Sequence, residues 1–169
     1  MEIKDYILMQ FEGLKIATDR VSEGLNQQEI AWRPGSGCNS IGLILFHFLK
    51  GEDMFINEIL QGNKLLWETE KWYEKLNLPL TESGHNYTVD QVNCFPTPLL
   101  KDLMAYASAV RANTLNYVKN VKLEELDRKI KLPWGDFTVA GVISMSVTHA
   151  FQHIGEASYL RGLQRGIDK

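Results

Sequence analysis

Apolar residues along the chain recur mostly at helical spacing. From Lys4 to Ser22 the positions Ile7, Leu8, Phe11, Leu14, Ile16 and Val21 mark one side of a helix. Gly24 ends it. Asn26 can cap a short helix from Gln27 to Trp32, which Pro34 stops. A second long helix opens after Asn39 or Ser40 and runs to about Leu60, with Gly62 just beyond its end. Its first half, Ile41 to Leu49, is almost wholly apolar. Its second half mixes Glu52, Asp53, Asn57 and Glu58 with Met54, Phe55, Ile56 and Ile59, which predicts one wet side. Residues 63–95 are less regular, with a short helix expected around Thr88 to Val92. A third long helix is expected from about Pro98 to Val121, and a short one at Leu123 to Asp127. The stretch Lys129–Trp134 alternates like an extended segment, Gly135-Asp136 reads as a turn, and a fourth long helix runs from Thr138 to about Leu163.

Four helices of this length make rods of about 30 Å. The pattern predicts an all-α protein whose packing is a four-helix bundle, with a long connection between the second and third helices that leaves room for a crossover. At 169 residues, with no repeat and no interdomain linker, residues 1–169 read as one domain.

Composition narrows the function. Charged residues make up 23% of the chain and hydrophobic ones 44%, with a net charge of −3. No basic block appears, which argues against nucleic-acid binding. Met1-Glu2-Ile3-Lys4-Asp5 does not have the pattern of a signal peptide. The uncharged run Gly35–Leu49 is too short to span a bilayer. The run Phe137–Ile154 is long enough but carries Thr138, Ser144, Ser146, Thr148, His149, Gln152 and His153, so no membrane span is expected. Cys38 and Cys94 form no paired motif and read as reduced thiols, consistent with a cytoplasmic protein.

The chemistry concentrates in the fourth helix. His149 and His153 are four residues apart, so on a helix they stand about 40° apart on one face. From Phe137 to Ile154 there is no Asp, Glu, Lys or Arg, which predicts burial. Buried imidazoles need partners for their nitrogens, and one metal ion satisfies both. His47, in the apolar Leu45-Phe46-His47-Phe48-Leu49, supplies a third ligand from a second helix. Three neutral imidazoles with an open fourth position form a catalytic type of site. Such a site suits zinc, nickel, iron or copper, with zinc or nickel the first expectation. Glu156, three residues after His153, is placed to orient a ligand imidazole or act as a general base; a solvent-facing charge is the equally weighted alternative. Glu52 and Asp53 sit more than about 100° around the helix from His47 and are expected to be capping or salt-bridging groups rather than ligands. Lys50 and Met54 lie nearer its face and could line a pocket. His85 falls in what looks like a loop and is left out of the site.

With these residues in view, the chain resembles the DinB/YfiT-like family of metalloenzymes over nearly its whole length. Trp32-Arg33-Pro34 is similar to the family's W-x-P segment. Asn39-Ser40-Ile41-Gly42 through His47 to Glu52-Asp53 is similar to its second helix, and His149-x3-His153-x-Gly155-Glu156 to its fourth. The resemblance implies a four-helix bundle holding a divalent metal on His47, His149 and His153, and often a homodimer. It also implies a reaction on a small molecule, with metal-activated water or a low-molecular-weight thiol as nucleophile, as in a hydrolase or thiol S-transferase. Two readings stand beside this one: a non-catalytic, stress-related helical protein that binds a metal or ligand, and a bundle whose histidines are structural.

Overall fold

The computed structural model describes residues 2–166. Four long helices dominate: α1 (Ile3–Ser22), α3 (Ile41–Asp53, continuing as a π-helical segment Met54–Leu60), α7 (Leu100–Asn120) and α8 (Val139–Arg165). Between them lie the short helices α2 (Gln27–Ala31), α4 (Leu66–Thr69), α5 (Trp72–Lys75) and α6 (Val89–Cys94), and a 3-10 turn at Leu123–Asp127. Several starts are set by local side chains. Ser40 accepts from Leu43 N at α3, Thr138 accepts from Gly141 N at α8, and Asn26 and Thr88 form capping boxes at α2 and α6.

The expected extended stretch is a β-hairpin. Strand β1 (Lys129–Leu132) pairs antiparallel with β2 (Gly135–Thr138), Lys129 opposite Thr138 and Leu132 opposite Gly135. The turn is therefore Pro133-Trp134, not Gly135-Asp136, which opens the second strand. Proline can stand there because a turn position needs no ladder N–H.

In the bundle, α3 and α1 each pack against both α7 and α8, so α1 and α3 occupy opposite corners, as do α7 and α8. The diagonal steps are made by residues 23–40 and 121–138. The long connection, residues 61–99, joins the neighbours α3 and α7. The crossovers thus fall on the other two links. The C-terminal part of α8 reaches back across one of them. Arg161 donates to the carbonyls of Val21 and Glu23, and Arg165 to that of Gly24, while also pairing with Glu29 of α2 at 2.7 Å. These cations cap the carbonyl end of α1, which complements its dipole as well as their own helix's.

Helix α3 is the centre of the core. From Ile41 to Leu49 every residue is buried except the half-buried His47. Of the wet side expected beyond it only Glu58 is exposed: Glu52, Asp53 and Asn57 are 1%, 0% and 3% exposed. Each carboxylate is matched by partners remote in sequence. Arg111 of α7 grips Glu52 with both forks, at 2.9 and 2.7 Å, and Thr114 adds a bond of 2.8 Å; Arg111 also donates to the Phe11 carbonyl of α1. Asp53 accepts from Tyr106, Asn57 and the backbone N–H groups of Leu66 and Trp67. One residue thereby fixes α7 and the start of α4 against α3. Helix α8, although uncharged through Ile154, is buried on one side only: Ser144, Thr148, Phe151 and Gln152 face outward. No helix among the described residues is long and apolar enough to cross a membrane.

Candidate metal centre

The α3–α8 contact brings His47 against His149 and His153. His47 Nε2 lies 3.0 Å from His153 Nε2 and 3.1 Å from His149 Nε2, and the three ligand atoms all fall within 4.8 Å of one another. All three residues are half-buried. Two nitrogens bound to one zinc at 2.0–2.1 Å in tetrahedral geometry would stand about 3.3 Å apart, so the triad is already gathered to near that spacing.

The outer ring nitrogens explain the orientation. His47 Nδ1 lies 2.6 Å from the carbonyl oxygen of Gly84, and His153 Nδ1 lies 2.8 Å from Glu156 Oε2. Both acceptors require an N–H at Nδ1, which leaves the Nε2 lone pair pointing inward. The lone pairs of His47 and His153, 3.0 Å apart, repel one another unless a cation lies between them, and His149 Nε2 stands 3.1 Å from that of His47. Burial holds His47 below the usual imidazole range, with the charge of His153 adding to it, and burial followed by the charges of its two neighbours pushes His149 down to about 4. The imidazoles of α3 and the first α8 position are thus kept in the neutral, ligating form at neutral pH.

Two glycines make the geometry possible. A Cβ on Gly51 would come within 2.9 Å of His149 Cε1, so only glycine lets that ring lie flat against α3. Gly84 has φ +80°, in the left-handed region, and its carbonyl meets His47 from the loop above. The hydrophobic and charged neighbours expected near His47 are in place. Lys50 and Met54 line a cavity of about 430 Å³ beside His47 and His149, along with Phe55, Glu58 and Trp134. A second cavity, about 290 Å³, opens beside His47 and His153 with Asn39 and Tyr87. His85, set aside on sequence, lines both. Glu156 borders a third space with Cys38 and Tyr159. Cys38 and Cys94 are both free thiols, and neither belongs to the triad. Gln152 faces solvent. A larger cavity, about 820 Å³, lies between α1 and the end of α8, and none of the described residues lining it is a histidine.

The sequence did not reveal Gly84 and Gly51 as parts of the centre. A backbone carbonyl acceptor carries no side-chain signature, and Gly51 reads as an ordinary helical glycine until α8 is set against it.

Fold and site together define a four-helix bundle with a three-histidine cluster, able to hold a metal ion, between its second and fourth long helices. The DinB superfamily model matches residues 10–157, and the chain belongs to that superfamily. Among solved structures it is similar to a conserved protein from Enterococcus faecalis, with a TM-score of 0.84 and 20% identity over 96% of this chain and 97% of that one. It is also similar to a DinB-like protein, YjoA, from Bacillus subtilis, with a TM-score of 0.64 and 18% identity over 94% and 92% of the two chains. At these identities the likeness is one of fold. No curated protein matches the chain.

Proposed function

We infer that this member of the DinB superfamily is a divalent-metal-dependent enzyme acting on a small organic molecule, with His47, His149 and His153 as the metal ligands. The observation that supports it most directly is the pair of outer hydrogen bonds, from His47 to Gly84 and His153 to Glu156, which turn the Nε2 lone pairs toward a common point. Without a metal a His149 Nε2–H can serve His47 at 3.1 Å, but His153 Nε2 then faces the His47 nitrogen at 3.0 Å with no donor between them.

The chemistry that a divalent ion, zinc or nickel first, would supply with three neutral imidazoles and an open position is Lewis acidity, which lowers the pKa of water or a small thiol toward neutrality. The protein's own residues do the rest. Gly84 and Glu156 fix two ring orientations. Gly51 admits the third ring. Phe55 stands edge-on to His149 with centroids 5.7 Å apart and presents an apolar wall on that side. Glu156 is spoken for by His153, so in this reading it is a positioning residue rather than a free base. The cavities on either side of His47 give a small substrate access to the open position.

Elemental analysis of protein purified without a metal-affinity tag tests the site. Near-stoichiometric divalent metal, lost in His47→Ala, is the expected result; a metal-free protein that takes up none on incubation would overturn the reading. Metal-dependent turnover in a screen of hydrolytic and thiol-transfer substrates then separates an enzyme from a metal-binding protein without catalysis.

A further inference from the structure

Among the described residues Lys50 is the one lysine or arginine in the wall of the cavity beside His47 and His149, and although a ring covers it, no acid answers its charge. It is only 7% exposed. Gly84 packs on its stem, close enough that a Cβ there would lie 3.3 Å from Lys50 Cβ. Nζ rests 4.4 Å from the centroid of the Trp67 ring. Among the described residues it forms no ion pair and donates no hydrogen bond to protein. A lysine buried to this extent normally finds a carboxylate or several carbonyls, whereas Lys50 meets the Trp67 ring and the cavity.

The nearby acids do not supply that partner. Asp53, the strongest of the charges acting on it, has both oxygens filled by Asn57, Tyr106 and the N–H groups of Leu66 and Trp67. Glu82 Oε1 is occupied by Tyr87 and the N–H of Gly84. Glu58 and Glu68 are exposed, and Glu68 faces Lys64. Burial pushes the ammonium down to about 8, so the charge is retained at neutral pH while no acceptor of the described residues takes its donors.

We propose that Lys50 is the specificity-determining cation of this cavity and binds the carboxylate of a small monoanionic substrate whose apolar body lies against Met54, Phe55 and Trp134. The inference rests on the reading of the centre as a small-molecule site. Lys50 follows His47 by three residues, one helical turn along the same face, so a bound carboxylate would hold the rest of the ligand beside the histidines. A single lysine is a point charge without the fork that favours phosphate, and Glu58 at the rim disfavours a dianion.

The test is a titration of phenylacetate, its uncharged counterpart phenylacetamide, and inorganic phosphate. Each is followed by the NMR signal of the Trp67 indole N–H, which donates to Leu80 O at 2.9 Å and reports the ring beneath Lys50. Both zinc-loaded and metal-free protein are titrated. Phenylacetate is expected to bind about tenfold or more tightly than phenylacetamide, the size of one charge-assisted hydrogen bond. That ratio should fall to about one in Lys50→Gln and be retained in Lys50→Arg, with the far-UV spectrum of each variant confirming the fold. A ratio near one in the unmodified protein, a ratio unchanged in Lys50→Gln, saturation by phosphate in preference to phenylacetate, or no saturation by phenylacetate overturns the proposal. If the metal reading fails, elemental analysis shows it, and the titration of metal-free protein still decides the role of Lys50.

Discussion

At the residue scale the centre depends on contacts of a few tenths of an ångström. Gly51 is the sharpest case. Alanine is favoured over glycine inside a helix by about 1 kcal/mol, so Gly51→Ala should not unfold α3 on propensity grounds. Its Cβ would, however, meet His149 Cε1 at 2.9 Å and drive the ring off its position. The expected outcome is a thermal midpoint close to that of the unmodified protein with metal affinity weakened by tenfold or so, the order seen when a ligand's support is lost. Calorimetric titration with zinc checks it, and unchanged affinity would show that His149 is not a ligand. Glu156→Ala removes the acceptor of His153 Nδ1 and should weaken metal binding by about 10–100-fold. If the three histidines are the ligands, replacing His47, His149 or His153 by Ala should cost more than either, because each change would remove a ligand rather than its support.

At the scale of elements, the bundle is joined across its middle by charges. Arg111 links α7 to Glu52 of α3 and to the Phe11 carbonyl of α1. Removing one partner of a buried pair leaves the other uncompensated, which costs about 3–5 kcal/mol. Arg111→Ala should therefore destabilise the fold by that order in urea unfolding, and a loss under about 1 kcal/mol would mean that Glu52 finds another partner or takes up a proton. The π-helical segment Met54–Leu60 directly follows Asp53. It leaves Asp53 and Asn57 inside, while Met54 and Glu58 reach the cavity wall. The helical spacing of the apolar residues made α1, α3, α7 and α8 legible in the sequence to within a few residues. The burial of Glu52 and Asp53 was not, because nothing in the local sequence shows that Arg111 and Tyr106, more than fifty residues away, will stand opposite them.

At the scale of the whole molecule the centre couples to stability through protons and, on the proposed reading, through metal. The folded state holds His149 at about 4, below the free imidazole value of about 6.5, so between those values the unfolded chain binds the extra proton and the folded chain does not. The contribution of the neutral imidazole is present above about pH 6.5 and is lost as pH falls toward 4. His47, shifted in the same direction, adds to it. Metal-free protein should thus lose stability between about pH 6.5 and 4 more steeply than His149→Phe, as measured by urea unfolding across that range; parallel curves would refute the coupling. Metal adds the converse effect. A ligand that binds only the folded state at a hundred times its Kd stabilises by about 2.7 kcal/mol, so a strong chelator should lower the thermal midpoint at pH 7 and restored zinc should raise it.

What the sequence by itself determined is what local periodicity and spacing can carry: four long helices, a cap at Asn26 and another at Asn39 or Ser40, the facing pair His149 and His153, and His47 as a lone imidazole in an apolar run. Each is decided within a few residues of chain, by 3.6-residue geometry and side-chain chemistry. The tertiary structure decided the rest. It decided which helices stand diagonally, because that depends on how residues 23–40 and 121–138 cross the ends of the bundle. It turned Lys129–Thr138 into a hairpin about Pro133-Trp134, because pairing is a property of two strands. It buried Glu52, Asp53 and Lys50, because a charge can leave water when remote partners or a ring replace it, and those partners exist only after α7 and the loop at Gly84 have closed on α3.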